Sequence, residues 1–252
     1  MNIIHHYTRE ELIGPSFWKF SDLGMVQFQN NYDQALLDTI RRKAIALKNS
    51  LSSPSCLSSS YIREPHKHII EINELLEDKE RIARLESFVG NSLEVYPLSI
   101  ARCFIHFMNP NDGSLFWHSD AVPSLEIINL ELSDVVGGEM QIYKGSEDEG
   151  RMELVKNGKI PEEKLLTVKP RLEYSVFGQF TRTLHRTRPI ESGSRIALLI
   201  AYRSKEKPYI DDNTVWFLAA DNPRMEWLDD FTQDIKSTKI PAYLRDKQLG
   251  VI

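Results

Sequence analysis

Cysteine is scarce in this 252-residue sequence, with Cys56 and Cys103 the only two. Two thiols exclude a disulfide framework and a thiolate zinc site. Met1-Asn2-Ile3-Ile4-His5-His6 carries neither the basic start nor the apolar block of a signal peptide. Both absences lead to the expectation of a reducing cytoplasm. No apolar run has the length that a membrane span requires, so no membrane partner is expected. A basic excess is missing too: 31 Lys and Arg against 36 Asp and Glu give a formal net charge of -5. Nucleic-acid binders normally carry a basic stripe and a positive balance, so no nucleic acid is expected and a small molecule becomes the default partner. Nothing in the pattern specifies an oligomeric state. What is present, 41% hydrophobic and 27% charged residues, is the composition of an ordinary globular protein. The length fits one large domain or a core with an extension.

The first hundred or so residues read as mainly helical. Thr8 and Glu11 have capping-box spacing. Residues 24–29 resemble a strand, and Leu37, Ile40, Ala44 and Leu47 then recur as one apolar helical stripe. The serine-rich segment 50–60 reads as a loop, and Leu75, Ile82, Leu85 and Val89 mark a further helical pattern. From residue 98 the period changes to two. Strands are expected over 98–108, 126–132, 139–143, 165–168, 174–177, 183–187 and 195–202, with another at 215–218. Asn109 to Gly113, Gly137-Gly138 and Ser192-Gly193-Ser194 supply the turns between them. The polar stretch 144–163 reads as a solvated loop, with a lid over a pocket as the alternative. Helices first and short strands afterwards predict an α+β fold with a sandwich or barrel core. The expected organisation is one structural domain: a mainly helical region 1–97, a catalytic core 98–208 and an extension 209–252.

Residues able to do chemistry gather in the β-rich part. On a strand, His118 and Asp120 project to the same side, roughly 6–7 Å apart at Cα. An imidazole and a carboxylate so placed suit a divalent iron, although a surface His near an Asp would look the same. His185 adds a second imidazole, and two histidines with one carboxylate form the facial triad of non-haem Fe(II) oxygenases. Arg195 opens an otherwise apolar strand, where an unpaired guanidinium is costly. A carboxylate cosubstrate could supply a bidentate partner; the alternative is an Arg on the rim, solvated by water. Ala197, Leu199 and Ala201 share its face and leave room for a slender diacid. Thr183 and Thr187 share the His185 face and could hydrogen-bond that cosubstrate, or simply favour the strand. On the strand before the motif, Arg102, Phe104, His106 and Met108 form a mixed face, which makes Arg102 and His106 candidates for substrate contact.

In order along the chain stand Trp117-His118-Ser119-Asp120, Val136-Gly137-Gly138-Glu139-Met140, Leu184-His185-Arg186-Thr187-Arg188-Pro189-Ile190 and Gly193-Ser194-Arg195. This series resembles the Fe(II)/2-oxoglutarate-dependent dioxygenase superfamily. It is most similar to small bacterial members acting on free amino acids, a group of hydroxylases that also includes radical amino-acid halogenases. The resemblance implies a double-stranded β-helix, or jelly-roll, with N-terminal helices packed on it. It implies Fe(II) on His118, Asp120 and His185, 2-oxoglutarate on Arg195, and O2 as the oxidant, with succinate and CO2 released. Halogenases of that group carry a small residue where this chain has Asp120, so hydroxylation of an amino acid or an amino-acid-derived compound is the expected biosynthetic activity.

Other readings stand beside it. His66-Lys67-His68 is a rival start to a metal site, with a surface position as the alternative, and His5 and His6 read as terminal. Trp117 is expected in core packing, and Trp216 with Asp211-Asp212 in a C-terminal cover or an exposed turn. A prolyl-type hydroxylase of protein side chains would show a peptide-sized groove. A non-enzymatic jelly-roll sensor would have no need of open iron positions.

Overall fold

The computed structural model describes residues 2–54, 60–111 and 115–251. The chain runs β1 (Ile3–Thr8), α1 (Arg9–Ile13), β2 (Leu23–Gln29), α2 (Gln34–Leu51), β3 (Ser52–Pro54), β4 (Ser60–Arg63), α3 (Glu71–Glu77), α4 (Lys79–Val89), β5 (Leu93–Val95) and α5 (Ser99–Arg102). It continues through β6 (Cys103–Met108), β7 (Ser124–Gly137), β8 (Met140–Tyr143), α6 (Glu147–Asn157), β9 (Leu165–Val168), β10 (Tyr174–Gly178), β11 (His185–Thr187) and β12 (Ile190–Ser204). Helices α7 (Val215–Asp221), α8 (Leu228–Asp234) and α9 (Ile240–Gln248) follow.

The strands form two antiparallel sheets. The larger has the order β1-β2-β10-β7-β12-β6-β4-β3, with β5 also paired to β12, and the smaller has the order β11-β8-β9. This is the jelly-roll arrangement with helices added, an α+β fold. The glycine pair Gly137-Gly138 at the end of β7 marks the corner where the chain passes from one sheet to the other. Gly137 has φ of +88°, and a Cβ there would meet the Pro189 carbonyl oxygen at 2.2 Å, so only glycine fits the turn.

Alternation gives the large sheet two different faces. Cys103, Ile105 and Phe107 of β6, Ile128 and Leu130 of β7, and Ile196, Leu198 and Ile200 of β12 share one core with Leu37, Ile40 and Ala44 of α2, Leu75 of α3 and Leu85 of α4. The other face carries Leu125, Ile127, Ala197, Leu199 and Ala201, which pack with Met140 and Ile142 of the small sheet. Three layers result: helices, large sheet and small sheet.

Thr8 and Glu11 cap α1 reciprocally, and Asp33 caps α2. The pattern from Leu75 to Val89 is two helices, because Asp78 leaves helical geometry and caps α4 through the Arg81 amide. The N-terminal region differs from the mainly helical expectation, since β1 to β5 all join the large sheet. Strand β1 lies at the sheet edge with no fully buried residue, so its sequence shows no apolar alternation. The 144–163 stretch contains the helix α6, held by a Ser146–Glu149 capping box and a left-handed Gly158, rather than a loop. Its apolar residues form no clear stripe, so periodicity could not reveal it.

One charge pair lies inside the helix-facing core. Arg81 of α4 and Glu126 of β7 are ion-paired with both side chains fully buried, and the Tyr32 and Tyr202 hydroxyls close on the same group. Removing one partner strands the other charge in an apolar layer. Arg81→Met is therefore expected to lower unfolding stability by about 3–5 kcal/mol, and adding Glu126→Leu should recover much of the loss. Urea-unfolding midpoints of the single and double variants check this. Equal loss in both would remove the pair from its assigned role.

Candidate metal centre and buried cation

Between β6 and β7 the chain passes alongside β11. The His118 amide donates to the His185 carbonyl at 2.9 Å, and the His185 amide donates to the His118 carbonyl at 2.8 Å. Residues that exchange both bonds across an antiparallel pair send their side chains to the same face. Asp120, two residues on, keeps that face and is tied by its amide to the Phe180 carbonyl at 3.1 Å. The ligand atoms of His118, Asp120 and His185 consequently lie within 4.8 Å of one another.

Each imidazole is oriented from behind. His118 Nδ1 lies 2.6 Å from the Phe116 carbonyl oxygen, and His185 Nδ1 lies 2.9 Å from that of Thr183. A carbonyl only accepts, so both Nδ1 atoms carry the proton and both Nε2 lone pairs are left for a metal. The Nε2 atoms stand 3.5 and 3.8 Å from Asp120 Oδ1. Burial pushes the His185 imidazolium down to about 4, with the neighbouring His118 adding to the effect. Burial alone would raise the Asp120 carboxyl, but His185 and His118 outweigh it and hold it below its usual range. A neutral histidine beside an ionised carboxylate is the protonation state that a divalent cation needs. The fit has a further sign: Asp120 Oδ2 is buried and has no hydrogen-bond partner among the described residues.

The same cavity holds a buried cation. Arg195 is 7% exposed on β12, where Nε donates to Asn129 Oδ1 and Nη1 to the Gly138 carbonyl, both at 2.8 Å. No carboxylate pairs with it among the described residues, and burial draws its pKa down to about 10. Arg195, Ala197 and Leu199 face the cavity together, as do Phe104, His106 and Met108 of β6. Thr187 lines it as well.

Two candidate residues lie elsewhere. Thr183 is fully buried outside the cavity lining, because residues 180–183 form a turn, closed by the Thr183 amide on the Phe180 carbonyl at 3.3 Å, in which Arg182 has φ of +53°. Strand alternation therefore begins only at His185, and the Thr183 hydroxyl accepts from Arg9 instead. Arg102 belongs to the helical turn α5, not to the strand, and binds the carbonyls of Tyr96 and Pro97. His66 is buried against Ser99 and Cys103, and among the described residues it joins no metal-binding group. Trp117 is partly buried, packed near Tyr143 and Leu184, with the Arg186 guanidinium over its ring at 4.7 Å.

The cavity also has walls that the strand reading missed. Helix α7 contributes Phe217, Leu218 and Asp221, and β4 contributes Tyr61 and Arg63. Residues 215–218 look like a strand because Val, Trp and Phe favour one. The contrary signal was Thr214, whose hydroxyl caps the helix through the Phe217 amide at 3.1 Å. Trp216 itself points outward and is 79% exposed.

No protein-family model and no curated protein matches this sequence. Solved structures do match. The non-haem α-ketoglutarate-dependent carbocyclase SnoK of nogalamycin biosynthesis is 16% identical, with a TM-score of 0.55 over 72% of this chain and 80% of that one. HygX from Streptomyces hygroscopicus, solved with nickel and 2-oxoglutarate bound, is 12% identical, with a TM-score of 0.53 over 72% and 83%. A prolyl-4-hydroxylase from Pseudomonas putida is 11% identical, with a TM-score of 0.51 over 72% and 92%. At these identities the likeness is one of architecture: this chain has the double-stranded β-helix fold of the Fe(II)/2-oxoglutarate-dependent oxygenases.

Proposed function

We propose that this protein is an Fe(II)- and 2-oxoglutarate-dependent oxygenase that hydroxylates an unactivated C–H bond of a free amino acid or an amino-acid-derived small molecule. One observation carries the reading: a two-histidine, one-carboxylate cluster shares a cavity with a buried guanidinium that has no acidic partner among the described residues. The cluster suits a first-row divalent metal with open positions, and the cation suits a carboxylate.

In this reading His118, Asp120 and His185 hold the iron, and Arg195 receives the distal carboxylate of 2-oxoglutarate, with Thr187 beside it. The bound iron and cosubstrate would together supply an oxidant strong enough to take hydrogen from carbon, with release of succinate and CO2. The protein's part is to position and to exclude water. Asn129 and the Gly138 carbonyl fix the guanidinium before the cosubstrate arrives, which lowers the ordering cost of binding.

The walls support a small substrate. Phe217 and Leu218 of α7 close the cavity beside Ile100, Phe104, Val122 and Leu125. A charged pair, Arg63 with Asp221 at 3.1 Å, lies in the same lining, and such a wall suits a molecule carrying both an amine and a carboxylate. His106 is 7% exposed and lines the cavity, its ring stacked against those of Tyr61 and Phe104. Burial, with Arg195 adding to it, drives its pKa down to about 3, so it offers the substrate a neutral donor and acceptor.

Anaerobic reconstitution with Fe(II) and 2-oxoglutarate, followed by O2 and a metabolite screen reading succinate, tests the proposal. His118→Ala and His185→Ala are expected to lower coupled turnover by at least about a hundredfold, since losing a ligand exceeds the cost of losing its outer-shell support. Variants that keep full turnover would remove the assigned ligands. Arg195→Leu should raise the KM for 2-oxoglutarate on the order of a hundredfold, the worth of one strong charge-assisted pair. An unchanged KM would take that role away.

His106 makes a separate prediction about pH. Its folded pKa lies below the ordinary 6.5, so the unfolded chain binds the extra proton between about pH 3 and pH 6.5, and stability falls as pH drops through that window. At pH 5, one and a half pH units below the free imidazole, His106 should cost about 2 kcal/mol of stability relative to neutral pH. Unfolding free energies from urea titrations at pH 7 and pH 5 are expected to converge by about that amount in His106→Leu; an unaltered pH slope would show that His106 does not titrate this way.

A further inference from the structure

Arg9 lies outside the cavity lining and was no candidate for chemistry, yet it is among the most buried side chains in the protein. It is the first residue of α1, 1% exposed, and its amide is held by the Asp22 carbonyl at 2.8 Å. Its guanidinium has no carboxylate within ion-pairing distance among the described residues. All its side-chain hydrogen bonds go to one short segment. Nη1 donates to the Gln179 carbonyl at 2.6 Å and to Thr183 Oγ1 at 2.9 Å, and Nη2 donates to the Thr181 carbonyl at 3.0 Å.

That segment supports the metal cluster from behind. The Phe180 carbonyl takes the Asp120 amide, Thr181 bridges to Asp120, and the Thr183 carbonyl takes His185 Nδ1. It is also a poor candidate to hold its own shape. Arg182 sits in the left-handed region, which is costly for a residue with a side chain. Burying a guanidinium without a paired carboxylate is expensive as well; oriented carbonyls and a hydroxyl offset it, with Asp212 helping at longer range, while Nε has no hydrogen-bond partner among the described residues. Those same acceptors fix the turn from Gln179 to Thr183.

Resting on the oxygenase reading above, we propose that Arg9 is a positioning residue for the metal centre. Its planar fork pins the 179–183 turn, so that the Phe180 and Thr183 carbonyls hold Asp120 and His185 in ligating orientation. Arg9 touches neither metal nor substrate in this role. It acts through two carbonyl groups, one for each of two ligands.

The experiment compares the wild-type chain with Arg9→Met, Arg9→Lys and a control, Leu85→Ala, which weakens the helix-facing core on the far side of the large sheet. Calorimetric titration gives the Kd for Fe(II) under anaerobic conditions, and the visible absorption of added Co(II) reports ligand geometry. Arg9→Met is expected to raise the metal Kd by at least about tenfold and to alter the Co(II) spectrum, as loss of outer-shell support does elsewhere. Arg9→Lys keeps the charge but loses the fork, and should weaken binding by about threefold or more. Leu85→Ala should lower Tm while leaving Kd and spectrum unchanged. A wild-type Kd and spectrum in Arg9→Met would overturn the inference, and so would an equal loss of affinity in Leu85→Ala. Should Arg9→Met not fold, an unchanged Kd in Arg9→Lys overturns it instead. A wild-type chain that takes up no metal would overturn the oxygenase reading itself, an outcome distinct from any failure confined to Arg9.

Discussion

Two backbone hydrogen bonds, exchanged between His118 and His185, are the constraint on which the site depends. His118 and Asp120 do not belong to a long strand; they lie in a connection between β6 and β7. A connection of that kind is ordinarily among the more mobile parts of a fold. The paired amides turn it into a short extension of the small sheet. Both imidazoles then share one face by the geometry of the pairing, with no need for further contacts between them. The carbonyls of Phe116 and Thr183 finish the arrangement by choosing the tautomer of each ring. The ordering cost is met during folding and not at the moment of metal uptake.

Two buried guanidinium groups flank this pairing, and neither has a carboxylate beside it among the described residues. Arg195 keeps its charge available to a ligand, since Asn129 and the Gly138 carbonyl orient it without neutralising it. Arg9 spends its donors on the protein itself. The contrast with Arg81 is informative. Deep in the helix-facing core, where no ligand can reach, the cation is paired with Glu126. The Arg81 charge is compensated by a carboxylate within the fold, whereas Arg195 and Arg9 are bonded to neutral acceptors.

Alternation was legible in the sequence wherever a strand is regular. On β6 it separated Cys103, Ile105 and Phe107 from Phe104, His106 and Met108, and on β12 it separated Arg195, Ala197 and Leu199 from Ile196, Leu198 and Ile200. It failed where the backbone leaves the strand by one residue. A period of two puts Arg102 on the face of Phe104, but α5 ends there and turns it toward the Tyr96 and Pro97 carbonyls. Thr183 was read with His185, but the left-handed Arg182 breaks the period between β10 and β11. Arg9 could not be read at all. Its partners lie far along the chain, and the acceptors are mostly backbone carbonyls, which leave no trace in residue identity.

The two faces of the large sheet also protect each other's register. Side chains alternate with a period of two, so a slip of one residue along β12 would exchange Arg195 for Ile196 in the cavity. The apolar helix-facing side resists such a slip by hydrophobic burial, because Ile196, Leu198 and Ile200 would all have to leave their core. Burial alone is weakly discriminating on β7, where Leu125 and Ile127 face the cavity and Ile128 and Leu130 face the helices, apolar on both sides. There the discriminating residue is Glu126. Moving it by one position would carry a carboxylate into the cavity and leave Arg81 buried with no counter-charge, together with the Tyr32 and Tyr202 hydroxyls that now close around the pair. A buried ion pair adds little net stability over an apolar substitute, but it is costly to break. A one-residue slip of β7 would therefore break the pair and at the same time move Asn129 from its place beside Arg195.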